Sequence, residues 1–85
     1  MKDQRIYPAI PTREGGEIVV SFPDLPEALT SGRDPVEALD MAADCLAEAI
    51  AGRIDDSDEI PAPSPIDGNA VAVPLPEETA KHLRP

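Results

Sequence analysis

The 85-residue chain is nearly devoid of aromatic side chains: it has no tryptophan, one tyrosine (Tyr7) and one phenylalanine (Phe22). Its interior must therefore be assembled from Ile, Val, Leu and Ala. A single cysteine, Cys45, excludes an internal disulfide, and with only His82 beside it no Cys/His set has metal-ligand spacing. Cations are scarce as well. Seven Lys and Arg against seventeen Asp and Glu give a net charge of −10. Binding to a phosphate backbone depends on Lys and Arg displacing counterions, so this balance disfavours nucleic acid as a direct partner. It favours a basic partner, or simply solubility. No apolar run nears the ~20 residues of a membrane-spanning helix, and Met1-Lys2-Asp3-Gln4-Arg5 does not lead into the apolar stretch of a signal peptide. No membrane association is expected, and the cytoplasm is the expected compartment.

What remains is enough for one small domain. A chain of this size buries only about 60% of the surface that its unfolded form exposes, so a partner that binds the folded state adds needed stability. Arg5 to Ile10 reads as a short strand carrying Pro8, and Glu14-Gly15-Gly16 as the turn of a hairpin. Glu17 to Phe22 is the clearest strand, with Ile18, Val20 and Phe22 on one face. Pro23-Asp24-Leu25-Pro26 reads as a rigid loop, followed by a shorter strand from about Ala28 to Ser31.

Asp34-Pro35-Val36-Glu37 is the strongest local signal. It offers an N-cap, proline at the first helical position and an acid placed to close a capping box. The helix should run to roughly Ile54, with Leu39, Ala42, Leu46, Ile50 and Ile54 on its apolar face. The acidic run Asp55 to Glu59 and the polyproline-like Ile60 to Pro65 follow. Asp67-Gly68 then reads as a turn, and Asn69 to Val73 as a last strand. Pro76 to Leu83 begins like a helix and stops after two turns. The element order predicts an α+β fold, β-β-β-α-β. Three strands form an antiparallel sheet, a fourth runs parallel to the first, and one helix packs on one face.

Several of these pieces resemble the HicB family of antitoxins. They are Tyr7-Pro8-Ala9, the strand running into Phe22-Pro23-Asp24-Leu25-Pro26, Thr30-Ser31-Gly32, Glu37-Ala38-Leu39 and Ile60-Pro61-Ala62-Pro63-Ser64, in that order. The resemblance spans about Ile6 to Leu75. It implies a degraded RNase H-like or double-stranded-RNA-binding-like sheet without enzyme activity, which binds and blocks a small basic toxin, HicA, an mRNA-cleaving ribonuclease. It also implies, in many members, a C-terminal DNA-binding module that represses the operon. This chain departs from the pattern in two places. Glu27-Ala28 stands where the family often has Gly-Cys, and the chain ends where such a module would begin. The expected organisation is a HicB-like antitoxin domain over residues 1–76. Residues 77–85 are then a tail, the stub of a missing module, so DNA contact is expected only through that module.

Two surfaces are candidates for partner binding. Glu37, Asp40, Asp44 and Glu48 fall at steps of three, four and four, forming an acidic ridge on the helix. Like charges at such spacing cost roughly 0.2–0.5 kcal/mol per pair. The ridge reads either as a solvated face or as a docking surface for a basic toxin. Asp24, Leu25 and Glu27 form the second, either as an apolar anchor with a charged rim or as a connector with Leu25 in the core. No catalytic residues and no cofactor are expected. Two-metal phosphodiester cleavage needs converging carboxylates, and neither Ile6–Ile10 nor Ala70–Leu75 contains an acid. The competing reading is a stand-alone oligomeric scaffold or ligand-binding module. In it, an exposed edge near Ile6–Ile10, or the fourth strand, pairs across a two-fold axis.

Overall fold

The computed structural model describes residues 5–81. Strand β1 covers Ile6–Glu14, β2 Glu17–Phe22 and β3 Leu25–Gly32; helix α1 covers Pro35–Asp55, β4 Val71–Pro74 and the single-turn α2 Glu77–Ala80. The strands form one sheet in the order β3-β2-β1-β4, and α1 lies on one face of it, mainly over β3. The expected tail residues His82 and Leu83, like the Met1–Gln4 segment, lie outside the described residues.

Alternation governs the strands. Tyr7 and Ala9 of β1, Ile18, Val20 and Phe22 of β2 and Val73 of β4 all point under the helix and are buried. Leu25 and Ala28 are both buried as well, although a spacing of three would send them to opposite faces of a regular strand. A register shift resolves this: Phe22 pairs with Leu25, but Ser21 pairs with Leu29, and the bulge between them turns both side chains inward. That irregularity moves the start of β3 to Leu25, three residues before the expected Ala28.

On α1, Ala38, Ala42, Leu46 and Ile50 are buried at four-residue steps. Burial of a Leu or Ile side chain stabilises by about 1.5–3 kcal/mol. Leu39, expected on this face, is instead 47% exposed at its edge. Gly32 ends β3 against the first turn of the helix. A Cβ there would lie 2.5 Å from the backbone nitrogen of Ala38, so only glycine permits this approach.

The fourth strand runs antiparallel to the first, with Tyr7 opposite Val73 and Ala9 opposite Val71, which overturns the parallel arrangement expected above. The right-handed crossover rule concerns parallel strands joined by a single pass. Here residues 56–70 add a further pass after the helix. A turn at Asp67-Gly68 then reverses the chain, closed by the Ala70 N–H donating to the Asp67 carbonyl at 3.1 Å, with Gly68 at φ +61°. The expected free edge at Ile6–Ile10 is likewise corrected, because Ile6–Ala9 pairs with β4. The outer strands are β3 and β4, so of the two expected edges the fourth strand is one, and among the described residues the side of β1 facing β4 has no strand partner from Ile10 to Glu14.

Candidate functional site

Helix α1 presents its acids because its start is fixed. Asp34 is extended (φ −143°, ψ 170°) and accepts from the Glu37 N–H at 2.9 Å, with Pro35 in the first turn. Glu37 does not close the expected box onto its own cap residue. It accepts from the Arg33 N–H at 2.7 Å, with the Arg33 guanidinium 3.5 Å away. Asp40, Asp44 and Glu48 are exposed and engage no hydrogen bond or ion pair among the described residues. At 100° per residue they lie opposite the buried Ala42–Ile50 stripe, so the ridge faces solvent.

The three loop candidates have structural tasks. Leu25 is wholly buried in the core, so it offers no exposed anchor. Asp24 accepts from the backbone N–H of Ser64 at 2.8 Å and from its hydroxyl at 2.6 Å, fastening the proline-rich connector to the β2–β3 turn. Glu27 accepts two hydrogen bonds from Arg53 at 2.7 and 3.0 Å, and Arg53 also donates to the Glu59 carbonyl. The Arg53 hydrogen bonds hold the Glu27 carboxyl at about 2, well below its ordinary 4.5.

The structure brings Glu27 and Glu48 together at one shallow hollow, joined by Arg53, Asp56 and Asp58. Asp24, Leu25 and Glu37 lie elsewhere. Sequence reasoning treated Asp55 to Glu59 only as an acidic exit. The missing signal was the turn that follows the helix, where Ser57 takes φ 59° and the Asp58 N–H donates to the Arg53 carbonyl. The acidic surface therefore extends past the ridge around the end of α1. Cys45 sits half-buried on the helix, and burial raises its thiol pKa, which disfavours the reactive thiolate.

A second feature lies at the other end of the helix. A groove of about 350 Å³ opens between the start of α1 and the β1–β2–β4 part of the sheet, lined by Pro11, Ile18, Pro35, Ala38, Leu39 and Val71 with Arg13 at its rim. Among the described residues no group of three His, Cys, Asp or Glu side chains is arranged to hold a metal ion, and no helix is long and apolar enough to cross a membrane.

The chain is also similar in sequence to known proteins. A sequence model of the family described as "HicB_like antitoxin of bacterial toxin-antitoxin system" matches residues 6–82. Antitoxin HicB 1 of Photorhabdus laumondii subsp. laumondii is 49% identical over 65 residues, covering 76% of this chain and 41% of that protein. Antitoxin HicB of Escherichia coli K12 is 40% identical over 73 residues, covering 86% of this chain and 52% of its own length. The chain belongs to the HicB-like antitoxin family. It spans about half the length, or less, of these curated relatives.

Proposed function

We propose that this domain is the toxin-binding part of an antitoxin, and that its partner is a small, basic, mRNA-cleaving toxin of the HicA type. It works by stoichiometric masking in the cytoplasm and not by turnover. The observation that carries this reading is the acidic surface of α1 in a chain belonging to an antitoxin family. Asp40, Asp44 and Glu48 stand free on it, and Glu48 continues into the hollow shared with Glu27, Asp56 and Asp58. A surface of one sign draws an oppositely charged protein into encounter and fixes its orientation. Glu37 contributes from the first turn of the helix, while Asp24 and Leu25 hold the neighbouring loop in shape. Repression of the operon requires a DNA-binding module in the full-length protein. This domain by itself should give no shift of operator DNA at physiological salt.

Co-expression with the toxin encoded beside this gene tests the reading. Growth arrest should be relieved and a complex should purify. The association rate should fall as salt rises, because screening shortens the reach of the charges. An Asp44→Lys/Glu48→Lys variant should associate about tenfold or more slowly at low salt while remaining folded. Persistent arrest with no complex contradicts the proposal, as does magnesium-dependent RNA hydrolysis by the purified domain.

A further inference from the structure

Strand β4 is shorter than the strand it pairs with, and it leaves Ile10–Glu14 of β1 without a strand partner on that side among the described residues. The register decides which backbone groups stand open. The Leu75 N–H donates to the Arg5 carbonyl across this side, and backbone groups alternate along a strand with a period of two. The carbonyls of Pro11 and Arg13 and the N–H of Arg13 therefore face the gap. Pro11 has no N–H to leave unsatisfied there. The same alternation turns the side chains of Pro11 and Arg13 to the helix side, as it does those of the buried Tyr7 and Ala9. The groove of about 350 Å³ lies on that side, with Pro11, Arg13 and Val71 lining it from the strands and Pro35 and Leu39 from the start of the helix. The Arg13 guanidinium is exposed and engages no ion pair or hydrogen bond among the described residues. An open sheet edge, an apolar groove and a spare cation thus meet on the same few residues.

We propose that gap and groove together hold the free C-terminus of an extended peptide from a different protein, one whose last residue is apolar. The peptide's backbone bonds to β1 at Pro11 and Arg13, its last side chain enters the groove, and its terminal carboxylate pairs with the Arg13 guanidinium. In such an arrangement the main-chain bonds supply affinity and the pocket supplies specificity. Length and charge select this occupant. The open backbone groups sit on Pro11 and Arg13 alone, and the turn at Asp67-Gly68 lies just before β4, so the edge suits the last few residues of a chain and not a long strand. Arg13 is the charged residue that lines the groove, while Glu14, Asp34 and Asp40 adjoin its lining residues in sequence. One carboxylate is therefore accepted and a run of acids is repelled. A basic partner meets the wrong charge at Arg13, so this site is separate from the acidic ridge. It does not rest on the antitoxin reading.

The test is an NMR titration of the isotope-labelled chain with an N-acetylated tetrapeptide, Thr-Val-Thr-Leu, carrying a free C-terminus. The amides of Thr12, Arg13 and Val71 should shift with a dissociation constant between about 10 μM and 1 mM. At saturation, hydrogen exchange of the Arg13 amide should slow at least about tenfold, because its N–H gains a partner. The same peptide with an amidated C-terminus should bind at least about tenfold more weakly, which tests the ion pair on unaltered protein. Arg13→Glu should lose binding to a similar degree and Arg13→Lys should lose less, both with an unchanged circular dichroism spectrum because the side chain is exposed. Absence of any shift up to about 1 mM peptide overturns the proposal. Equal binding of the acid and amide peptides overturns it as well. Octanoate that shifts the same amides while the peptide leaves Arg13 exchange unchanged points to a small-molecule site and overturns it. So does a groove that sedimentation and amide shifts show to be covered by a second copy which the peptide fails to displace.

Discussion

The two ends of α1 are held in opposite ways. Where the helix stops, polar contacts join residues remote in sequence. Tyr7 donates to the Pro61 carbonyl at 2.6 Å, 54 residues away; Ser64 binds Asp24 across 40 residues, and Arg53 binds Glu27 across 26. Where it starts, the polar side-chain contacts among the described residues are local, with Glu37 reaching Asp34 and Arg33 three and four residues back. The first end is stitched shut by groups that must each find a distant partner. The second is left with an open groove and exposed apolar side chains, so it can accept another molecule without giving up any internal bond.

Four substitutions would break or sharpen that contrast, each measured by chemical denaturation of the purified chain. Leu25→Ala, at the stitched end, should be the most costly at about 2–5 kcal/mol, because Leu25 is fully buried and its truncation leaves a cavity in the core. Gly32→Ala, at the open end, should cost about 1–3 kcal/mol by pushing a methyl into the backbone of Ala38. An unchanged midpoint would mean that the helix start is free to shift. Tyr7→Phe should cost about 0.5–1.5 kcal/mol through the lost bond to Pro61. The smallest effect belongs to Arg53→Met and is best seen against pH. Glu27 is depressed from 4.5 to about 2 in the folded chain, so the pair stabilises above pH 4.5 and its contribution is lost as pH falls toward 2. Wild-type stability should drop more steeply than the variant's across that window, and parallel curves would show that the bridge contributes nothing.

The same contrast separates what the sequence discloses from what it hides. The start of α1 could be read from Asp34-Pro35-Val36-Glu37 because capping is decided within one turn, and β2 could be read from the alternation of Ile18, Val20 and Phe22. The direction of β4 could not, since it depends on how far the proline-rich pass travels before the turn at Gly68. The roles of Asp24 and Glu27 were hidden for a related reason: each carboxylate is occupied by a partner that only tertiary folding brings near. The acidic ridge was legible as a pattern because it lies within one helix. Its extension around Asp56 and Asp58 needed the backbone reversal at Ser57, which no propensity announces.

Because β4 returns antiparallel, its exit lies beside the entrance to β1, where the Leu75 N–H donates to the Arg5 carbonyl at 2.8 Å. The sheet therefore begins and finishes at neighbouring points. Joining Leu75 to Arg5 through a few flexible residues, without α2, and cutting new ends at the exposed Gly15-Gly16 hairpin tip should give a circular permutant with the same sheet. In that rearranged chain the ends would emerge at the opposite pole of the sheet, so a reporter could be attached at either pole without redesigning the interior.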